Sequence, residues 1–305
     1  MDDRPSAGKA AAGHAVVVST GHDPADAARR LLAAAERGFP DAQLVLAQLY
    51  LDGHGVAADP AAAFRWFSRA ADHGRSEAVN MVGRCHELGW GVPADPAMAA
   101  QWYRRAARMG HAWAQFNLAG LLLDGQGVPQ DARGALSLYV RAARRGHAKA
   151  MTMIGRFQEE GWERRPDRAA AFRWYRRGAD GGDFRGHFNL GRLLMQQGQT
   201  AEAIGRLERA VEAATPVFCR DVAGGFLRHP EEAVRVLGRR CLARACETRA
   251  AADIERYASL LAQGEIRFAD AAAPAEPVAH RPGSSRPRSL AGFSFTRRLS
   301  ALWRR

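Results

Sequence analysis

The residues that could carry out chemistry are few and poorly placed for it. Cys241 and Cys246 are the cysteines closest in sequence, but their spacing puts them on different helix faces, and no histidine stands at ligand spacing. The sequence has no Walker loop, no H-E-x-x-H zinc motif and no G-x-S-x-G nucleophile motif. We therefore expect a protein that is not an enzyme, with no catalytic residue, no metal and no cofactor, and with reduced thiols.

Glycine pairs are the next candidates, because glycine-rich loops can hold phosphate groups. Gly53 and Gly55 form one such pair, and Gly125 and Gly127 form another. Most histidines also stand beside glycines, as His54 does. Both kinds of residue recur at a fixed step along the chain, so their position in a repeated element explains them better than catalysis or phosphate binding does.

The repeated element is clearest from Ala78 to Gly110. The same skeleton returns at steps of 36 residues, which is typical of a solenoid built from stacked units. Four kinds of anchor keep this step: Ala42, Ala78, Ala114 and Ala150; Gly53, Gly89, Gly125 and Gly161; Asp59, Asp95, Asp131 and Asp167; and Gly74, Gly110, Gly146 and Gly182.

Each unit has the pattern of a helical hairpin. Leu46 and Leu49 are spaced as one buried stripe of the first helix, with the small Ala47 between them to allow close approach of a neighbour. Asp59-Pro60 predicts the start of the second helix, and Gly74 predicts its left-handed end. Paired aromatic residues fill one position of the second helix and are expected in the core: Trp66-Phe67, Trp102-Tyr103 and Trp174-Tyr175.

This pattern, A-x3-[LVI]-[GA]-x5-G-x-G-V-x2-D-x3-A-x2-W-[YF]-x2-A-A-x2-G, resembles the Sel1-like repeat, a relative of the tetratricopeptide repeat. The resemblance covers about residues 42–185. The fourth copy departs from it, with Glu163 at the second turn glycine and Gly178 at the first alanine of the pair. The resemblance implies an all-α fold, a right-handed α/α solenoid of hairpins, and a scaffold that binds other proteins.

The remaining chain surrounds these repeats. After residue 216 the periodicity ends, and we expect helices near 217–226, 231–247 and 250–263 that cover the last hairpin. The expected divisions are a disordered start (1–20), a half-repeat cap (21–41), four repeats (42–185), a shortened tetratricopeptide-like hairpin (186–214), capping helices (215–265) and a disordered Arg/Pro-rich tail (266–305). No signal peptide and no long apolar run are evident, so we expect a cytoplasmic protein, with peripheral attachment to a membrane left open.

The tail holds much of the positive charge. From residue 271 onward there are seven arginines and one glutamate, half of the net charge of +12. The last residues, 293–305, could form a short amphipathic helix for an anionic membrane or an acidic groove. The tail residues with this potential are Phe295, Arg297, Arg298, Leu299 and Trp303. A frayed tail without a role remains the other interpretation.

In related solenoids the first helix of each hairpin lines the concave face, and the resemblance carries this arrangement over by register. The residues at those positions change from acidic and apolar, through aromatic, to basic along the chain. The candidate partner-binding residues are Asn80, Arg84, Trp113, Phe116, Arg156, Arg185, Phe188 and Arg192.

Two functions remain open. The first is a non-catalytic adaptor that binds a peptide or protein on the concave face. The alternative is binding of nucleic acid or an anionic membrane through the arginine-rich tail. Nucleic acid is the less favoured partner, because no RNA-binding signature and no consistent basic stripe is expected in the repeats.

Overall fold

A computed structural model describes residues 23–163, 165–248, 254–255, 258–259 and 262. Throughout these residues the fold is all-α, without a strand; from α1 to α11 each helix packs against the next one along the chain, and α11 then packs against α13. The expected helical solenoid is therefore confirmed. Its helices are α1 (Pro24–Glu36), α2 (Pro40–Asp52), α3 (Pro60–Asp72), α4 (Ser76–Leu88), α5 (Pro96–Arg108), α6 (Ala112–Asp124), α7 (Ala132–Arg144), α8 (Ala148–Glu160), α9 (Arg168–Asp180), α10 (Phe184–Gln196), α11 (Thr200–Ala213), α12 (Pro216–Leu227) and α13 (Glu232–Ala245).

The hairpins pair α2 with α3, α4 with α5, α6 with α7, α8 with α9, and α10 with α11. We call the first member of each pair a first helix and the other a second helix. The helix signals in the sequence are confirmed: the Asp59 carboxylate accepts a hydrogen bond from the Ala62 N–H at 2.9 Å, and Gly74 has a φ of +76°. Equivalent caps recur one hairpin apart, so local sequence sets the boundaries of the helices.

Small residues in the first helices let the second helices approach closely, as the sequence predicts. A methyl group added to Gly83 would lie 2.7 Å from the Tyr103 ring, and one added to Gly155 would lie 2.6 Å from the Tyr175 ring. Both tyrosine rings are fully buried, and each hydroxyl reaches a glutamate of its own hairpin. The second residue of each aromatic pair therefore belongs to the core as predicted, whereas the indoles of Trp102 and Trp174 are half-buried.

In the first three hairpins, the long internal loop contacts the preceding second helix through its second glycine. Gly91 has a φ of +73°, and a methyl group there would lie 2.2 Å from the carbonyl oxygen of Pro60, the first residue of α3. Gly55 makes the same approach to Pro24. This glycine is needed both for the turn and for the contact that sets the step between hairpins.

The last hairpin and the C-terminal helices differ from the repeats. Only residues 197–199 join α10 to α11, whereas residues 53–59 join α2 to α3, so the predicted shorter turn is confirmed. Helices α12 and α13 cover the hairpin through a core that includes Phe188, Phe218 and Leu237. Of the helix predicted over 250–263, only positions 254–255, 258–259 and 262 are described, and they are helical. The four cysteines are free thiols.

Candidate partner-binding face

The first helices lie next to each other along one side of the solenoid. The Asn117 side chain donates to Asn80 Oδ1 at 3.2 Å, which joins α6 to α4. Arg192 donates to Glu159 at 2.6 Å, which joins α10 to α8. Burial lowers the pKa of Lys149, and the neighbouring Arg185 and Arg84 lower it further. We call this surface, formed by α2, α4, α6, α8 and α10, the concave face, because the first helices line the concave side in the solenoids that this repeat resembles.

An aromatic cluster lies at the middle of the concave face. Trp113 is 48% exposed, and its ring meets the His147 ring edge to face with centroids 4.5 Å apart. The Phe116 ring stacks on the same His147 ring, with the two ring centroids 4.7 Å apart. We define the aromatic cluster as Trp113, Phe116 and His147. In this cluster the exposed indole of Trp113 packs against the half-buried ring of Phe116 and the buried ring of His147.

His147 has a structural reason to stand at this point. Its Nδ1 accepts a hydrogen bond from the Ala150 N–H at 3.2 Å, which caps the start of α8. Burial lowers the pKa of His147 to about 4, and the charge of Lys149 contributes to this decrease. Because Nδ1 is the acceptor, the neutral ring carries its proton on Nε2, which is buried without a hydrogen-bond partner among the described residues. Near neutral pH the cluster is therefore uncharged.

Basic residues continue the concave face beyond the aromatic cluster. The Lys149 ammonium lies 5.0 Å from the Trp113 ring centre, and the exposed Arg185 occupies the same repeat position one hairpin later. Arg84 is half-buried, with its guanidinium 4.8 Å from the Trp90 ring centre. Arg156 pairs with Glu160 at 3.3 Å. Lys149, Arg156 and Arg185 give the C-terminal part of the concave face a positive character, whereas Arg84 lies in α4, on the N-terminal side of the aromatic cluster.

Arg192 does not belong to the accessible part of this face, although the register predicts it there. Its side chain is 3% exposed and donates to both carboxylate oxygens of Glu159 at 2.6 Å. The Tyr175 hydroxyl donates to the same carboxylate at 2.8 Å. Arg192 therefore joins α10 to α8 inside the solenoid and is a structural residue.

Phe188 and Asn80 are also buried, although the register predicts them on the accessible part of the concave face. Phe188 is 1% exposed because α12 covers it, with the rings of Phe218 and Phe226 at 5.3 and 6.0 Å. Asn80 is 5% exposed and engaged with Asn117. Neither side chain can meet a partner on the surface. The structure thus brings Arg84, Trp113, Phe116, Arg156 and Arg185 together and excludes the other three.

The sequence analysis missed two features. His147 stands beside a glycine like most histidines of the chain, but its place just before a first helix marks a cap position. The expectation of no basic stripe in the repeats is wrong, because four exposed arginines occupy one position of successive second helices: Arg69, Arg105, Arg141 and Arg177. Their spacing of 36 residues is the signal that would have revealed them. We call these four residues the arginine row.

Other candidate sites receive no structural description or no support. The tail residues Phe295, Arg297, Arg298, Leu299 and Trp303 lie outside the described residues. Within the part of the chain that is described, no group of three histidine, cysteine or acidic side chains could hold a metal ion. None of the described helices is long and apolar enough to cross a membrane.

Comparison with known proteins identifies the repeat. The Sel1 repeat model matches residues 40–74, 76–111, 114–147 and 148–183. A solved Sel1 repeat protein from Oxalobacter formigenes is 22% identical, with a TM-score of 0.59, over 79% of this chain and 99% of that protein. A protective antigen of uropathogenic Escherichia coli with an SLR fold is 26% identical, with a TM-score of 0.58, over 79% of this chain. The aligned part spans 53% of the antigen, about half of its length. No curated protein matches the sequence.

Proposed function

Because its four consecutive Sel1 repeats make this chain a Sel1 repeat protein, a family that generally mediates protein–protein interactions, we propose that it is a non-catalytic adaptor. In this proposal the concave face binds an extended peptide segment or a helix of a partner protein. An apolar or aromatic side chain of the partner packs on Trp113, and an acidic portion follows toward Lys149 and Arg185. The family is typically a scaffold without catalysis, which agrees with this assignment.

The exposure of Trp113 is the observation that supports the proposal most strongly. Five large apolar side chains are exposed among the described residues, and Trp113 is the one that stands at the centre of the concave face. Tryptophan and arginine are enriched at positions that dominate binding energy. An indole beside a lysine favours a partner that combines an apolar side chain with carboxylates.

The row of residues at the position of Trp113 supports a defined orientation of the partner. From the first hairpin to the last, this position holds Asp41, Glu77, Trp113, Lys149 and Arg185. Its charge thus changes from negative to positive across the indole. Opposite charges at the two ends of a bound segment are matched in one direction only, so the row can fix the direction of the partner.

Selection from a display library of random peptides on the immobilised full chain tests the proposal. We expect enrichment of peptides that carry an aromatic or large apolar residue next to aspartate or glutamate. The double variant Trp113→Ala, Lys149→Ala should bind these peptides with affinity lower by about thirtyfold or more, as expected for a residue that contributes about 2 kcal/mol to binding.

The matched control removes another exposed cation–π pair, formed by Arg37 and Phe39. Arg37 lies 5.2 Å from the ring centre of Phe39, which is 52% exposed and stands at the N-cap of α2. The control variant Arg37→Ala, Phe39→Ala should retain the wild-type peptide affinity. Peptides without acidic residues, or equal losses in both variants, would show that the concave face is not the site.

A further inference from the structure

The arginine row belongs to the second helices, whereas the concave face is formed by the first helices. Arg69, Arg105, Arg141 and Arg177 stand at the same position of α3, α5, α7 and α9, and all four are exposed. Each precedes a pair of buried small residues, such as Ala70 and Ala71 after Arg69. The row therefore runs along successive second helices, and we call the exposed surface of α3, α5, α7 and α9 the outer face.

Most of these arginines are held in place by a ring beneath them. The guanidinium carbon lies 4.6 Å from the Trp66 ring centre in Arg69, 5.3 Å from Trp102 in Arg105 and 4.9 Å from Trp174 in Arg177. A guanidinium on an indole loses little freedom on binding and keeps its N–H groups at the edge of the stack. The side chains are thus ordered before a ligand arrives.

No described carboxylate neutralises the row. Ion pairs occur elsewhere in the described residues, as between Arg206 and Asp180 at 3.2 Å, but none involves a member of the row. Helices α5 and α7 each carry three arginines and no acidic residue. The outer face therefore has an excess of positive charge that the fold itself leaves uncompensated.

The row also has a defined length. Arg105 donates to the carbonyl oxygen of Ala71 at 3.4 Å, so its side chain reaches from α5 to the end of α3. Helices α3 and α5 both pack on α4, and packed helices are spaced by about 10 Å, so the row of four arginines extends over roughly 30 Å or more. One turn of a nucleic-acid duplex extends about 34 Å, and its two strands carry about one phosphate charge per 1.7 Å of axis over that length.

We propose that the arginine row binds the phosphate backbone of a nucleic-acid duplex without reading its base sequence. The indoles are covered by guanidinium groups, so unpaired bases cannot stack on them as single-strand binding requires. None of the large apolar side chains exposed among the described residues lies within α3, α5, α7 or α9, so this face offers nothing to insert into a bilayer. A regular row of guanidinium groups for phosphate contacts is what this surface provides.

Binding of the full chain to a fluorescent DNA duplex of arbitrary sequence, about two turns long, tests the proposal. The affinity is measured by anisotropy at several salt concentrations. A row variant carries Arg69→Gln, Arg105→Gln, Arg141→Gln and Arg177→Gln. Each lost phosphate contact reduces the slope of log affinity against log salt by about 0.9, so the slope should become shallower by about 3 to 4. At about 0.1 M salt the same relation predicts an affinity lower by more than about 100-fold.

A control variant removes the same charge from other exposed places, with Arg30→Gln, Arg209→Gln, Arg228→Gln and Arg240→Gln. Both variants keep the tail, so any contribution of the tail is the same in both. The control should keep the wild-type slope to within about one unit. A control that loses as much as the row variant, or a wild-type chain that does not bind the duplex at low salt, would overturn the proposal.

Three further measurements distinguish the row's charge from its structural role and the duplex from a membrane. Replacing the four row arginines by lysine retains the charge and should retain most of the salt slope. Arg141 has Leu138 at the position of the indoles, so Arg141→Gln alone leaves every ring contact intact and should still reduce the slope by about 0.9. Vesicles containing phosphatidylglycerol serve as the second probe. Row-dependent binding to vesicles without binding to the duplex would overturn the assignment to nucleic acid.

Discussion

The two faces of this solenoid are formed by the same repeat, but one face has the same residue at a repeat position and the other has residues that change along the chain. On the outer face, the position of Arg69 holds arginine in four successive hairpins. On the concave face, the position of Trp113 holds an acidic residue in two hairpins, then tryptophan, then a basic residue in two hairpins, from Asp41 to Arg185. The comparison teaches that one backbone period can present either a uniform line of charge or a sequence of distinct contacts.

The difference matters for what each face can recognise. A uniform row matches a ligand that is itself uniform, such as a phosphate backbone, and gives little discrimination. A varied row matches one order of side chains and can discriminate between partners. The proposed functions of the two faces follow from this contrast.

The largest effect on stability is expected for Arg192. Arg156 stands at the same repeat position one hairpin earlier and allows a direct comparison. Arg192 is enclosed with Glu159, whereas Arg156 pairs with the half-buried Glu160. Arg192→Ala leaves a largely buried carboxylate without its cation and should lower the free energy of unfolding by about 3 to 5 kcal/mol. Arg156→Ala should cost about 1 kcal/mol or less. Urea denaturation compares the two, and equal losses would contradict the structural role assigned to Arg192.

The next effect concerns the step between hairpins, on which the spacing of the arginine row depends. Gly91→Ala strains a left-handed residue and brings its methyl group against the Pro60 carbonyl, so the free energy of unfolding should fall by about 2 to 4 kcal/mol. Gly74→Ala has a similar φ of +76° but open space around it, and should cost about 1 to 2 kcal/mol. Thermal or urea unfolding measures both variants. A smaller loss for Gly91→Ala would contradict the close contact between neighbouring hairpins.

The smallest of the three effects depends on pH and concerns the aromatic cluster. The pKa of His147 is about 4 in the folded protein, below its usual value of 6.5, because burial disfavours the charged ring. The unfolded chain therefore binds this proton first, and the contribution of neutral His147 to stability is complete above pH 6.5 and declines as the pH falls toward 4. The decline should be about 2 kcal/mol.

The variant His147→Asn isolates this contribution, because asparagine can keep the helix cap but does not titrate. The free energy of unfolding of wild type relative to the variant should fall as the pH is lowered from 6.5 to 4. Lys149 and His111, the charged or titratable groups that also lower the pKa of His147, are unchanged in this comparison. A constant difference over the whole range would mean that His147 is not buried as described.

The sequence predicts the solenoid well because its signals are local. Asp59 and Gly74 mark a helix start and a helix end, and Gly83 marks the approach of Tyr103 within one hairpin. Each of these features depends on residues that are near in sequence or in the adjacent helix of the same hairpin.

Contacts between hairpins were not predictable in the same way. Arg192 is buried because α10 packs beside α8. Phe188 is buried because α12, which has no repeat pattern, covers it. The arginine row, in contrast, was present in the sequence as a spacing of 36 residues. Its importance becomes evident only with the indoles beneath the arginines and with no carboxylate opposite them.

The central claim is that the two faces bind different partners independently, and one measurement tests it directly. The row variant and the variant Trp113→Ala, Lys149→Ala are each titrated with the fluorescent duplex and with an acidic peptide selected on the wild-type chain. We predict that the row variant loses the duplex and keeps the peptide, while the concave-face variant loses the peptide and keeps the duplex. Loss of both ligands by either folded variant, or of neither ligand by both, would contradict the account.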